Sequence, residues 1–311
     1  MVNLIIKEQN FSYSKRHLFD MLDLLVNSYK WKYVDKECLL KDDFNKYCLK
    51  TFKAYPKHIL LISGSSEIIN FHLHPTTKIS YIIDDLHVGG VIKQNRIKSI
   101  DRIYKILSTY GYAFDKFYPS SFSDKVIWFP HSARYIIPFN NDPIHKILLA
   151  GRIHNDNYPN RTLMLKFSKW YDIHYEKTKL NGYRAKTQQD IDTHIYGKKF
   201  YQLINKYLCS FTCDLNASRP YIVAKHFEIM ASGSLLLACN PNTIEHFQQL
   251  GFYDMIHYIS CNPDNMLDKV KWILDKNNLS TINNIRKNGY ELVKKNHTWI
   301  HRTNTINKIL K

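Results

Sequence analysis

Three cations, a carboxylate and a glycine turn stand at spacings suited to gripping a phosphorylated ligand. From Arg219 to Gly233 the chain reads Arg-Pro-Tyr-Ile-Val-Ala-Lys-His-Phe-Glu-Ile-Met-Ala-Ser-Gly, and Ser-Leu-Leu-Leu-Ala-Cys239 follows. Pro220 suits the first turn of a helix, and Ser218 suits its cap. Val223, Phe227, Met230 and Ala231 recur at helical spacing and form one apolar face. Tyr221, Lys225, Glu228 and Ser232 put a cation, a carboxylate and two hydroxyls on another. A helix N-terminus accepts phosphate well. The Glu, about 12 Å further along at about 1.5 Å per residue, is placed for the sugar end of a nucleotide. The competing reading is a solvated face with an i, i+3 ion pair, worth only a few tenths of a kcal/mol.

Gly151-Arg152 follows the apolar run Lys146–Ala150, and Pro159-Asn-Arg161 opens the next helical stretch. Such a turn presents backbone N–H groups, and two guanidinium forks fit phosphate oxygens; otherwise these are two surface arginines beside a loop. Asp84-Asp85-Leu86-His87 closes another apolar run. There Asp85 or His87 could serve as general base for a hydroxyl, against the alternative of turn-forming carboxylates and a structural histidine. His131 and Ser132 end a further strand-like segment and are similar candidates. Ser63-Gly64-Ser65-Ser66 lacks any glycine-rich nucleotide pattern.

The string Lys225-x-Phe-Glu-x-Met-Ala-x-Gly233, with its three leucines and Asn-Pro, resembles the donor-binding helix of GT-B glycosyltransferases of the "glycosyl transferases group 1" type. The resemblance runs from about residue 146 to 306 and centres on 219–240. It implies a GT-B fold: two Rossmann-like α/β domains with a cleft between them and a C-terminal helix returning to the first. It further implies a nucleoside-diphosphate sugar as donor substrate, with Gly151, Arg152, Arg161, Tyr221 and Lys225 around the diphosphate and Glu228 on the ribose. Transfer to a hydroxyl acceptor would be metal-independent, with neither metal nor cofactor. Many members carry a second Glu eight positions before the first, where this chain has Pro220. That departure leaves sugar identity and stereochemistry open and keeps an inactive GT-B-like protein as an alternative; a nucleotide-sugar epimerase of the same fold is another.

The elements expected to hold these groups alternate between short strands and helices, which predicts parallel sheets covered on both faces. Residues 12–54 read mostly as helices. Strands are expected at His58–Ile62, Lys78–Ile83, Tyr112–Phe114, Val126–Phe129, Lys146–Ala150, Tyr207–Cys213 and Met255–Ser260. Helices are expected at Arg96–Tyr110, Pro159–Trp170, Pro263–Lys276, Ser280–Asn296 and Thr298–Lys311. The segment Tyr135–His145 reads as a linker, giving an acceptor domain over 1–142 and a nucleotide-sugar domain over 143–311.

At 311 residues, 44% hydrophobic and 14% aromatic, the chain has material for two cores. No apolar run approaches the roughly 20 residues of a membrane span, and the N-terminus lacks a signal-peptide pattern, which predicts a cytoplasmic protein. The six cysteines lack Cys-x-x-Cys spacing and read as buried thiols, not zinc ligands. The net charge of +17 suits nucleic acid, an anionic membrane surface or phosphorylated substrates. Lys and Arg form no dense block, which argues against nucleic acid, although a basic nucleic-acid-binding protein is the rival from another class.

Overall fold

The computed structural model describes residues 1–7, 16–35, 38, 43–62, 73–84, 86–87, 90–98, 100–176, 195, 197–214 and 218–310. Two compact units form. One carries the chain up to Pro130 and takes back the closing stretch from Arg302; the other carries His131–His301. The changeover thus falls at Pro130–His131. The Tyr135–His145 segment, expected as a linker, is held inside the second unit. There the Asn140 amide donates to the Asn205 carbonyl at 3.0 Å, and Arg286 donates to the Asn140 carbonyl at 2.9 Å.

The first unit is built on a six-stranded sheet in the order β2-β1-β3-β4-β5-β6, parallel throughout. Its strands are β1 (Val2–Lys7), β2 (Lys32–Asp35), β3 (Pro56–Ile62), β4 (Lys78–Ile83), β5 (Ile103–Ser108) and β6 (Val126–Trp128). Helices α1 (Arg16–Tyr29), α2 (Phe44–Phe52) and α3 (Val91–Lys98) connect them. Three expectations fail here. β2 interrupts the stretch read as mostly helical. Arg96–Tyr110 is not one helix: α3 ends at Lys98, and Ile103–Ser108 is a strand wedged between β4 and β6. Gly111–Lys116 is a 3₁₀ helix where a strand was expected. A side chain at Gly111 would collide with the Trp128 backbone at 2.6 Å, so only glycine permits that close approach.

The second unit carries a five-stranded parallel sheet in the order β11-β10-β9-β7-β8. Its strands are β7 (Ile144–Ala150), β8 (Ile173–Glu176), β9 (Tyr207–Cys213), β10 (Leu235–Cys239) and β11 (Ile259–Cys261). Every residue of β9 and β10 is buried, as expected of strands covered on both faces. The helices are α4 (Pro159–Phe167), α5 (Lys198–Asn205), α6 (Ala224–Ala231), α7 (Ile244–Gln249), α8 (Met266–Leu274), α9 (Leu279–Asn296) and α10 (Trp299–Ile309). Met255–Ser260 is mostly loop rather than strand, because the Asp254 carboxylate accepts from both Met255 and Ser260 amides and folds the chain on itself. β7, β9 and the strand after α6 stand where the apolar runs put them.

From Arg302 onward α10 belongs to the first unit. Arg302 donates to the Pro130 carbonyl at 2.8 Å, and the buried Thr303 hydroxyl donates to that of Met21 at 3.4 Å. The Tyr29 hydroxyl donates to Asn304 at 2.7 Å. The C-terminal helix therefore returns to the first unit, as expected.

Candidate active site

Strand β7 ends at Ala150, and Gly151 turns the chain with φ 123°, a conformation open to glycine. The glycine is needed for a second reason. A Cβ there would stand 2.6 Å from the Lys225 ammonium and 3.1 Å from an Arg161 guanidinium nitrogen. Two cations thus converge on one backbone turn. Lys225 donates to the Ala150 carbonyl at 2.6 Å, and Arg161 reaches the Arg152 carbonyl at 3.4 Å. Arg161 is buried, its guanidinium lies 4.0 Å over the Tyr158 ring, and its Nε has no partner among the described residues.

Helix α6 presents Lys225 and, one turn on, Glu228. It begins at Ala224, not at Pro220 as expected. Just ahead of it Val223 is extended at φ −77°, ψ 161°, as a β-branched residue favours. Tyr221 therefore lies ahead of the helix, buried, and Ser232 caps its end by donating to the Glu228 carbonyl at 2.8 Å. The four-residue polar face reduces to Lys225 and Glu228. Both are half-buried, and no ion pair within 4.0 Å joins them or Arg161 to any described residue.

The electrostatics follow from that crowding. Burial, then the neighbouring Arg161 charge, push the Lys225 ammonium down to about 7, against a partial lift from Glu228. Burial raises the Glu228 carboxyl despite Lys225 and His131 nearby. His226 is buried and held neutral, down to about 3, with its Nδ1 at 3.0 Å from the Val223 carbonyl. At the end of β9, burial raises Asp214 to about 8. Its Oδ1 accepts from Thr243 at 3.3 Å, while Oδ2 has no partner among the described residues. The turn is a cationic cradle.

Helix α5 completes the setting, which the sequence reading missed. Phe200 lies 5.5 Å beneath the Lys225 ammonium. The buried Tyr201 hydroxyl accepts from the Arg134 amide at 2.9 Å and feels the Glu228 charge. Arg219 also escaped notice; it approaches the Asn157 side chain at 3.5 Å and so ties the loop before α6 to the loop before α4. Arg152 is exposed, and only its carbonyl joins the cluster. In the first unit His87 is half-buried beyond β4, while Asp85 lies outside the described residues, as does Ser63–Ser66. Among the described residues no group of three or more His, Cys, Asp or Glu side chains is placed to hold a metal ion.

Residues 150–308, just over half of the chain, match the glycosyl transferase-like family. The chain belongs to that family. The match begins at the end of β7 and spans the whole cationic cradle. Among solved structures, this family member superposes on Anabaena HepE in complex with UDP-glucose with a TM-score of 0.63 at 9% identity, covering 100% of this chain and 99% of that one. A glycosyltransferase from Rickettsia africae gives 0.60 at 10% identity, with 100% and 97% covered. TarM gives 0.56 at 12% identity, where the alignment takes in 86% of this chain and 58% of TarM; against a chain of the GtfA/B complex it spans 60% of that partner. At such identities the likeness establishes the fold, two parallel α/β sheets of GT-B type. Among proteins of curated function, none matches this sequence.

Proposed function

We propose that this protein transfers a sugar from a nucleoside-diphosphate sugar to a hydroxyl acceptor. The observation that carries the reading is the convergence of Arg161 and Lys225 on Gly151 with no carboxylate among the described residues within 4.0 Å of either. Two cations so close, one buried and one half-buried, raise each other's energy, and a diphosphate relieves both. The UDP-glucose held by HepE, a protein of the same fold, supports the same ligand class here.

In this reaction the bond between the anomeric carbon and the diphosphate oxygen breaks, and its electron pair stays on the diphosphate. Positive charge develops on the sugar ring. Lys225, Arg161 and the Gly151 turn stabilise the departing diphosphate, a role that electrostatic preorganisation fills without reorganisation at the moment of reaction. Metal-independent transfer belongs to this proposal. Glu228 takes hydrogen bonds from ribose hydroxyls, with Arg152 and Tyr221 at the margins of the donor site. The acceptor oxygen bonds the anomeric carbon as its proton passes to a general base, the part for which the sequence offers Asp85 or His87.

The test is incubation with UDP-, GDP-, ADP- and CMP-sugars, reading donor breakdown and transfer by mass spectrometry. One donor turned over by the wild type and spared by Glu228→Ala supports transfer. Affinity for oligonucleotides alone, with steep salt dependence, would replace this reading with nucleic-acid binding.

A further inference from the structure

Nine large hydrophobic side chains stand exposed among the described residues, and five lie on one edge of the second unit. Trp170, 72% exposed, directly precedes β8, and Ile144 opens β7. Tyr253, Met255 and Ile256 project from the loop before β11. All five sit at the amino ends of parallel strands. Singly exposed apolar residues are ordinary; a set gathered on one edge marks a contact surface.

The two clusters are separate. β8 and β11 stand four strand spacings apart, about 19 Å. The Tyr253–Ile256 loop is fixed by the Asp254 carboxylate, which accepts from the Met255 amide at 3.0 Å and the Ser260 amide at 2.6 Å. Met255 donates on to the Tyr258 carbonyl at 2.8 Å, and its φ of 57° is a strained value for a residue with a side chain. Asn288 of α9 donates to the Ile256 carbonyl at 3.1 Å, which seats the loop on that helix.

Cations accompany both clusters. Lys166, Lys169 and Lys206 are exposed around Trp170 and Ile144, where Asp172 neutralises only Lys146, at 3.3 Å. On α9, Lys287 is exposed next to Asn288 in the chain and Lys295 two turns further on, while Glu291 between them pairs with Lys294 at 3.8 Å. An amphipathic tryptophan and tyrosine, apolar tips and flanking lysines match the chemistry of an anionic bilayer surface.

We propose that this edge docks the second unit on anionic lipid. The seven residues of β7 set the docking edge about 23 Å from the Gly151 turn, at about 3.3 Å per residue, so the cationic cradle stands at the opposite end of the sheet.

The test is co-sedimentation of the full chain with phosphatidylcholine vesicles, with and without phosphatidylglycerol. The expected result is binding that needs phosphatidylglycerol and weakens as salt rises. Trp170→Ser with Ile256→Asn lowers partitioning by roughly a hundredfold, about tenfold per apolar side chain removed, at an unchanged thermal unfolding midpoint. Wild-type protein left in the supernatant overturns the proposal, as does undiminished binding by the double variant. Dimerisation of the wild type without vesicle binding, abolished in the same variant, also overturns it in favour of a second copy as the occupant.

Discussion

The two sheets are built alike, parallel and covered, yet their carboxyl edges carry opposite kinds of chemistry. At the end of β4 the Asp84 carboxylate accepts from the Thr109 hydroxyl at 2.9 Å, and the Thr109 carbonyl accepts from the Trp128 indole at 3.1 Å. These two contacts tie the ends of β4, β5 and β6 together. At the end of β7 two cations share one turn with no carboxylate among the described residues within 4.0 Å of either, and at the end of β9 a buried carboxyl has one oxygen without a partner among the described residues. Satisfied polar groups stabilise a fold, whereas crowded like charges cost stability unless a ligand completes them. In our proposal this contrast marks the second edge as the one that holds the donor.

The sharpest way to break that contrast is Gly151→Ala. The new Cβ displaces the Lys225 ammonium and forces alanine to φ 123°. Nucleoside-diphosphate affinity should fall by more than a hundredfold, read by calorimetry, and unfolding stability by about 1–3 kcal/mol. Lys225→Met separates binding from stability. It removes a charged hydrogen bond to the ligand, so affinity should drop roughly a hundredfold. It also removes a cation crowded by Arg161, so the melting temperature should hold or rise; a clear fall would make Lys225 a structural group. Glu228→Gln should weaken binding about tenfold through the ribose contacts, with a smaller loss for a ligand lacking ribose. Thr109→Val sharpens the other side of the comparison. It should cost about 1 kcal/mol in chemical denaturation and leave nucleotide affinity untouched.

Much of the cradle was readable in the sequence because it rests on local patterns. β4 and β9 match the expected Lys78–Ile83 and Tyr207–Cys213 at both ends, since uninterrupted apolar runs of that length leave little choice. Arg161, Lys225 and Gly151 follow from a strand, a turn and a helix in order. β5 was misread because Ile100, Ile103, Tyr104 and Leu107 also fit a helical repeat. Only pairing with β4 and β6 decides for a strand, and those partners lie far away in sequence. Phe200 and Tyr201 carried no signal at all. An aromatic pair after two lysines is unremarkable until α5 is folded against α6. The depressed Lys225 was equally invisible, because burial and a cation from another helix set it.

That depression supplies the most direct measurement. With Lys225 at about 7 in the folded chain and 10.5 ordinarily, the unfolded state holds more protons between those values, so stability of the free protein rises with pH there. A bound diphosphate restores the ammonium, so binding above pH 7 must take up a proton and affinity must fall as pH rises. Calorimetric titration with a nucleoside diphosphate in buffers of different ionisation enthalpy reads this uptake. Close to one proton taken up by the wild type, and none by Lys225→Met, is the expected result. Affinity independent of pH with no proton exchange, or undiminished binding in Lys225→Met, would contradict the cradle at Gly151.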